Sequence, residues 1–404
     1  MQYNPRVLKI QTLQQASEEL TKIQCDPYGV ALMTPKSLFK TIKLEGVPAK
    51  AANLLKQTFL AKGGEVAVAR GTADLSIERT DLLIHATFKQ YRSALSQLKM
   101  QPWGLPAVAE SIDKVLYYTE NFPVRHYTWD ERTLDIRPNK TLIMGILNIT
   151  PDSFSDGGRY NNLDAAAERA QELIEAGADI LDIGAESTRP YGASPVSAEE
   201  EAERLLPVLE KLVQQISTPI SIDTYKPQVA EAALKIGAHM INDVWGLQKN
   251  PEMAKIAAKH KVPVIIMHNQ LETRYDKDLL STIAASLQKS IDIGLVAGIP
   301  FENFIIDPGI GFAKTSQHNL QVLARLEELK ILGCPILIGT SRKKFIGEIL
   351  DLPVEERVEG TAATVGWAIN QGASIVRVHD VKTIARVAKM TDAIMEKVTT
   401  ATCE

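Results

Sequence analysis

Asp307, Asn242 and Lys343 each stand at or just behind a separate short apolar run, and together they could recognise a flat heterocycle. A carboxylate accepts two N–H bonds from adjacent ring donors, while an amide and an ammonium meet ring acceptors. The plainer role for Asp307 is a cap or turn, because Pro308-Gly309 follows it. Arg189, Arg377 and His379 form a second group. Arg377 and His379 lie two apart, so on a strand both project to one side. Two guanidiniums and an imidazole at one mouth make a phosphate or pyrophosphate clamp, to which Thr188 adds a hydroxyl donor. Either arginine taken alone is more simply a partner for a local carboxylate. Asn148, with diphosphate oxygens and water, suits Mg2+, which keeps most of its hydration shell.

The stretch Gly145–Gly158 is crowded with Ser, Thr, Asp and Gly and reads as a long loop after an apolar run. It is either a lid hinged at Gly157 and Gly158 or an ordinary solvated loop. His268, behind Met267, reads as a structural histidine rather than a metal ligand. No H-E-x-x-H, spaced cysteine pair, G-x-S-x-G or G-x-G-x-x-G occurs. Zinc hydrolysis, a Ser-His-Asp elbow and a dinucleotide fingerprint are therefore unsupported.

These residues need elements to hold them. From Leu142 onward eight apolar runs alternate with helix-like segments: Leu142–Leu147, Ile180–Ile183, Pro219–Ile222, His239–Ile241, Val262–Met267, Phe304–Ile306, Ile336–Ile338 and Ser374–Val378. Fully apolar strands joined by helices indicate a parallel sheet covered on its faces. Eight units are the number that closes a (β/α)8 barrel, with a doubly wound open sheet as the alternative. Polar groups follow every run, from Asn148 through Asp223 and Asn242 to His379, as closure onto one mouth requires. Residues 1–130 are less regular and read as a small α/β domain of unassigned role. Val7–Ile10, Val30–Met33, Val66–Ala69 and Leu82–His85 are its candidate strands. Residues 131–140 read as a linker and 141–404 as the barrel.

Composition narrows the class. The 404 residues are 45% hydrophobic and 23% charged with net charge −4, enough apolar material for packed cores. No basic stripe marks a nucleic-acid partner. Three scattered cysteines, the absence of a leader-like start and apolar runs too short to cross a bilayer point to a soluble cytoplasmic protein without a membrane role.

Seven segments in order then carry a resemblance: Gly145–Gly158, Asp182-Ile-Gly-Ala-Glu-Ser-Thr-Arg-Pro190, Ser221-Ile-Asp-Thr224, Ile241-Asn-Asp243, Asp307-Pro-Gly-Ile-Gly-Phe312, Gly339-Thr-Ser-Arg-Lys343 and Arg377-Val-His-Asp-Val381. Together they resemble the dihydropteroate synthases of folate biosynthesis over roughly two-thirds of the chain, from Thr141 onward. The resemblance implies a TIM barrel preceded by a smaller α/β N-terminal domain. It implies the transfer of 6-hydroxymethyl-7,8-dihydropterin from its diphosphate to 4-aminobenzoate, with Mg2+, in a homodimer. Asn242, Asp307 and Lys343 would hold the pterin, with Met267, Phe312 and Gly339 lining the pocket and Arg377 stacking on the ring. Asp223, Lys343, Arg377 and His379 would be the catalytic set. Asn148, Arg189, Arg377 and His379 would face the diphosphate, and Asn148 also the metal. Phe154, Thr188, Arg189, Pro190 and Ser341 would form the aminobenzoate side, where sulfonamides compete in this family.

Three positions depart from the family pattern. Ala185 replaces a usual Gly, Tyr191 separates Pro190 from Gly192, and Asn269 follows His268 where Met is common. The first two bear on the aminobenzoate side. The N-terminal 130 residues resemble an extension carried by some bacterial synthases. The other readings are a pterin-barrel methyltransferase, which would not need Ser187–Pro190, and a barrel kept only as a binding module.

Overall fold

The structure, a computed structural model, describes residues 3–130, 132–149, 159–186 and 196–399. Two compact units emerge, one running to Asn121 and the other spanning Phe122–Met395.

The first unit contains α1 (Leu13–Lys22), α2 (Pro27–Ser37), β1 (Phe39–Pro48), α3 (Ala49–Leu60), β2 (Glu65–Val68), β3 (Arg79–Thr87), α4 (Phe88–Leu98) and α5 (Leu105–Glu120). β1 and β2 both pair antiparallel with the central β3. Leu55, Phe59, Ile84, Tyr91, Leu98 and Ile112 fill its core. Two of the expected strands are absent. Val7–Ile10 is not a strand, and Val30–Met33 lies in α2, where the Asp26 cap and Pro27 in the first turn start a helix. The sequence pattern hides β1 because Lys40 interrupts the inward row of Ile42 and Leu44 while Phe39 stands among the exposed outward positions with Thr41, Lys43 and Glu45.

The second unit opens with a hairpin, β4 (Arg125–Trp129) and β5 (Arg132–Ile136). The barrel follows as β6 (Leu142–Asn148), α6 (Arg159–Glu175), β7 (Ile180–Gly184), α7 (Ala198–Gln215), β8 (Ile220–Asp223), α8 (Pro227–Ile236), β9 (Met240–Asp243), α9 (Glu252–His260), β10 (Val264–Met267) and α10 (Leu279–Ala297). It continues through β11 (Phe304–Asp307), α11 (Ser316–Ala324), β12 (Ile336–Ile338), α12 (Lys344–Leu350), α13 (Val358–Asn370), β13 (Ala373–Val378) and α14 (Val381–Thr399). β6 to β13 close into a parallel barrel, so the open-sheet alternative falls. Ser197 caps α7 as its spacing to Glu200 indicates, its Oγ accepting from Glu200 N at 3.1 Å.

Strand alternation sorts the barrel into two cores. Outward residues such as Leu181, Ile222, Ile241, Ile266 and Ile306 pack against the helices. Inward residues Leu142, Met144, Ile180, Met240, Ile265, Ile305, Leu337 and Ile375 form an apolar plug. One step of the period-two repeat beyond that plug lie Asp182, Asn242, Met267, Asp307, Gly339 and Arg377. The fold thus raises a polar storey directly on an apolar one.

Residues 132–136, within the expected 131–140 linker, are strand β5 of the second unit. The hairpin they help to form adds Tyr127, Leu134 and Ile136 to the inner apolar plug. Tyr127 donates to Glu302 O at 2.6 Å, and Arg125 to Gly333 O at 3.0 Å. Arg132 donates to Val213 O at 2.8 Å and to Ile216 O at 2.7 Å. Those acceptors all precede barrel strands, so the hairpin seals the amino-terminal end. The unit boundary accordingly falls at Phe122, ahead of the expected 130.

Among the described residues one helix, α10, is long and apolar enough to cross a membrane by length and composition, which the short apolar runs in the sequence did not suggest. Its Leu280, Ile283, Leu287 and Ile291 are buried in the outer core, as in a core helix.

Candidate active site

Strand ends build the site from five directions. Asp182 of β7 is fully buried, and its Oδ2 accepts from Arg377 Nε of β13 at 2.6 Å and from Asn242 Nδ2 of β9 at 3.1 Å. Arg377 Nη2 also donates to Asp223 Oδ2 of β8 at 2.7 Å. Asp223 and Asn242 are register partners on neighbouring strands. Asp307 ends β11 opposite Met267 of β10, and its Oδ1 accepts from Gly309 N at 2.7 Å. The turn after it cannot carry larger residues. A Cβ on Gly309 (φ +71°) would lie 2.1 Å from His268 O, and one on Gly311 (φ +82°) would lie 2.9 Å from Lys343 Cδ. Lys343 reaches over this turn to Ile310 O, with its ammonium 4.7 Å from the Phe312 ring centroid.

Burial and charge act against each other here. Burial pushes Asp223 up to about 7, with Arg377 opposing and Asp182 reinforcing the shift. Burial also raises Asp307, against Gly309 N–H and the charges of Lys343, Lys314 and Arg377. Burial lowers Lys343 to about 8, and Asp307 works to keep it charged. For Arg377 burial disfavours the charge, but Asp182 and Asp223 outweigh it and the pKa rises. These mutual effects place Asp223, Asp307, Lys343 and Arg377 within one field. Asp182 Oδ1, Asp223 Oδ1 and Ser221 Oγ are buried without a hydrogen-bond partner among the described residues. The two carboxylate oxygens are acceptors, and the hydroxyl can donate or accept.

The expected residues fare unevenly. Asn242, Asp307, Lys343, Asp223 and Arg377 share one pit, with Met267 beside Asp307. A Cβ on half-buried Gly339 would lie 3.9 Å from Arg377 Cβ, so Gly339 lines the same wall. His379 and Ser341 pair with each other: Ser341 Oγ is 2.9 Å from His379 Nδ1 and accepts from His379 N at 3.1 Å. Asn148 ends β6 half-buried, in register with Gly184. Phe154, Thr188, Arg189 and Pro190, the lid stretch beyond Ile149, and Tyr191 lie outside the described residues. Ala185 is fully buried in the outer core, so its methyl faces the helices and not the pit.

Two features escaped the residue-by-residue reading. Asp182 is the hub of the Arg377–Asn242–Asp223 network; a lone carboxylate inside an apolar strand was the available signal. Lys226 forms buried ion pairs with both Glu186 and Glu201, immediately before the 187–195 segment. Nothing in their spacing announces that contact.

Residues 144–379 match the family of pterin binding enzymes. The dihydropteroate synthase of Bacillus subtilis is 55% identical over 258 residues, which cover 64% of this chain and 90% of that protein. A probable bifunctional folylpolyglutamate synthase/dihydropteroate synthase of Halobacterium salinarum is 36% identical across 92% of this chain and 45% of its own length. That match therefore includes part of the first unit. Among solved structures, the Clostridium difficile synthase crystallised with pteroic acid is 52% identical, with a TM-score of 0.62 over 63% of this chain and 97% of that one. The Xanthomonas albilineans synthase with 4-aminobenzoic acid gives 41% identity and a TM-score of 0.64 over 67% and 98%.

The chain belongs to the pterin binding enzymes, and its own barrel carries a polar pit at the carboxyl ends of the strands. Within that class its identity to several synthases selects one chemistry over methyl transfer or a purely binding role. It acts as a dihydropteroate synthase, a transferase that joins 6-hydroxymethyl-7,8-dihydropterin diphosphate to 4-aminobenzoate, giving 7,8-dihydropteroate and diphosphate in folate biosynthesis.

Proposed function

We propose how this pit divides that reaction among its residues. Asn242, Asp307 and Lys343 hold the pterin edge, with Met267, Phe312 and Gly339 around the ring. Arg377 stacks on the ring and, with His379, Arg189 and Asn148, faces the diphosphate. Phe154, Thr188, Arg189, Pro190 and Ser341 form the aminobenzoate side. The observation that carries this division is the layering: carboxylates and an amide sit one strand repeat above a sealed apolar plug, with Lys343 and Arg377 over them.

The chemistry follows from the charges. The bond between the pterin methylene and the diphosphate oxygen breaks, and its electron pair leaves with diphosphate. Arg377 stabilises that departing charge. Positive charge remains on the methylene and spreads into the electron-rich ring, where the Asp223 carboxylate offsets it. The neutral aniline nitrogen of 4-aminobenzoate then attacks, forms the C–N bond and loses a proton. No strong base is required, so the residues mainly orient the partners and exclude water. This is a dissociative displacement, and a large carbon isotope effect at the methylene would contradict it.

Asn148, half-buried at the end of β6, would offer Mg2+ one neutral amide oxygen, which suits an ion that keeps most of its water. The ion would neutralise the leaving group when bound. The Yersinia pestis synthase was solved in complex with a sulfonamide drug, and the same competition at the aminobenzoate side is proposed here. Exposed Ile349, Leu350, Val354 and Trp367 on and beside α12 and α13 would supply the homodimer contact, in a cytoplasmic enzyme. The test is calorimetric: Asp307→Ala should lose pterin diphosphate binding while the purified parent releases diphosphate only with both substrates. Normal pterin affinity in the variant would refute the division.

A further inference from the structure

Behind Asp307, away from the pterin edge, lies a second lysine that no step above uses. Lys314 is 7% exposed and His268 2%. Lys314 Nζ lies 2.9 Å from His268 Nδ1 and donates to Phe312 O at 3.1 Å. His268 N in turn donates to Asp307 O at 2.9 Å. The turn between Asp307 and Lys314 is therefore gripped by two ammonium groups, Lys343 on Ile310 O and Lys314 on Phe312 O.

Burial, with Lys314 adding to it, lowers His268 to about 3, so the imidazole is neutral and its Nδ1 acts as the acceptor. An ammonium donating to a neutral imidazole and a carbonyl, beside a carboxylate, is a site that favours the charged lysine. Burial opposes this and lowers Lys314 to about 7, with Asp307 favouring its charge and Lys343 opposing it.

The geometry points to Lys314 as a positioning residue for pterin recognition: its ammonium clamps the 308–313 turn onto His268 and supplies Asp307 with a counter-charge from below. It touches no reacting atom and acts through Asp307 and Phe312. The proposal rests on the reading of Asp307 as the pterin acceptor. It explains why a charged side chain is retained in a buried place that packing alone would fill with an apolar one.

A purely structural lysine and this clamp differ in pH behaviour. The charged or titratable groups facing Lys314 are His268 behind β10, Asp307 on β11 and Lys343 beyond β12; Tyr275 packs its ring 6.1 Å from His268 and donates to Ala313 O. Loss of the Lys314 proton turns its bonds to His268 Nδ1 and Phe312 O into weaker neutral ones and removes the counter-charge, so affinity for the pterin falls as pH rises through its titration. Arginine at this place stays charged throughout.

The experiment measures binding of 6-hydroxymethyl-7,8-dihydropterin diphosphate by calorimetry from pH 6.5 to 9 for the full chain and for Lys314→Arg, Lys314→Met and Asp307→Asn. In the parent, affinity should fall in two steps, the lower from Lys314 and the upper from Lys343. Lys314→Arg should lose the lower step, moving the first midpoint up by at least one pH unit. Lys314→Met should bind at least 10-fold more weakly at pH 6.5, with no lower step. Should the methionine variant not fold, the arginine variant decides alone. Unchanged midpoints in Lys314→Arg overturn the inference. Parent-like binding by Asp307→Asn would instead overturn the pterin-site reading, so the two failures are separable.

Discussion

Asp182→Asn removes one charge from the hub of the pit while keeping its shape. Two contacts are at stake: the 2.6 Å bond from Arg377 Nε and the 3.1 Å bond from Asn242 Nδ2. Hydrogen bonds to charged groups contribute about 1.5–3 kcal/mol each. Both donors share Asp182 Oδ2, so an asparagine at 182 can keep one oxygen before them, but it offers no charge, and its NH2 takes the place of the unpartnered Oδ1. Arg377 keeps its bond to Asp223 at 2.7 Å, so the guanidinium retains one carboxylate but loses the charge of its other anchor. With about 1.4 kcal/mol per factor of ten, kcat/KM for the pterin diphosphate should fall about 10- to 150-fold. A second signature is separate from the first. Burial is the main reason Asp223 sits near 7, but the Asp182 charge pushes it further up. Removing that charge lowers the Asp223 pKa, so the acid limb of the rate profile should move to lower pH. The assay is diphosphate release against pterin diphosphate at saturating 4-aminobenzoate from pH 5.5 to 8, with thermal melting to show that the barrel persists. A kcat/KM within twofold of the parent, together with an unmoved acid limb, would refute the hub.

Arg377→Ala should weaken diphosphate binding far more than 4-aminobenzoate binding; equal losses, measured by inhibition with each ligand, would contradict the clamp. The parent kcat/KM should be bell-shaped in pH. Asp223, raised to about 7 chiefly by burial, must lose its proton on the acid side, and Lys343, lowered to about 8 by burial, must keep its proton on the alkaline side. A flat profile from pH 6 to 9 would count against both assignments. Chelation of divalent ions should abolish turnover, with recovery on adding Mg2+, and turnover that survives exhaustive chelation would remove the ion from the reaction. Tyr127→Phe takes away the 2.6 Å bond to Glu302 O beneath the barrel and should destabilise the fold by about 0.5–1.5 kcal/mol without altering pterin affinity, which denaturant titration and calorimetry can separate.

The linear order of residues determined the barrel almost completely, for a physical reason. Strands buried on both faces must be largely apolar, so Val264–Met267 or Phe304–Ile306 stands out from the charged helices that cover it. The polar residue that ends each run was equally visible, because strand alternation is local. The sequence places Asp307, Asn242 and Lys343 at or just behind strand ends, and that placement is local.

Contacts between distant segments were another matter. That Asp182 accepts from Arg377 depends on the closure of β13 onto β6 and β7, across 195 positions. The Lys314–His268 contact depends on which strand lies beside β11. The hairpin of residues 125–136 looked like a connector because its alternation is short and its outer face is charged. Only the open lower end of the barrel gives Tyr127, Leu134 and Ile136 something to bury against. Local periodicity tells a segment what it can be; the inner wall of the closed barrel decides which buried charges must find one another, since none can remain there unpaired at low cost.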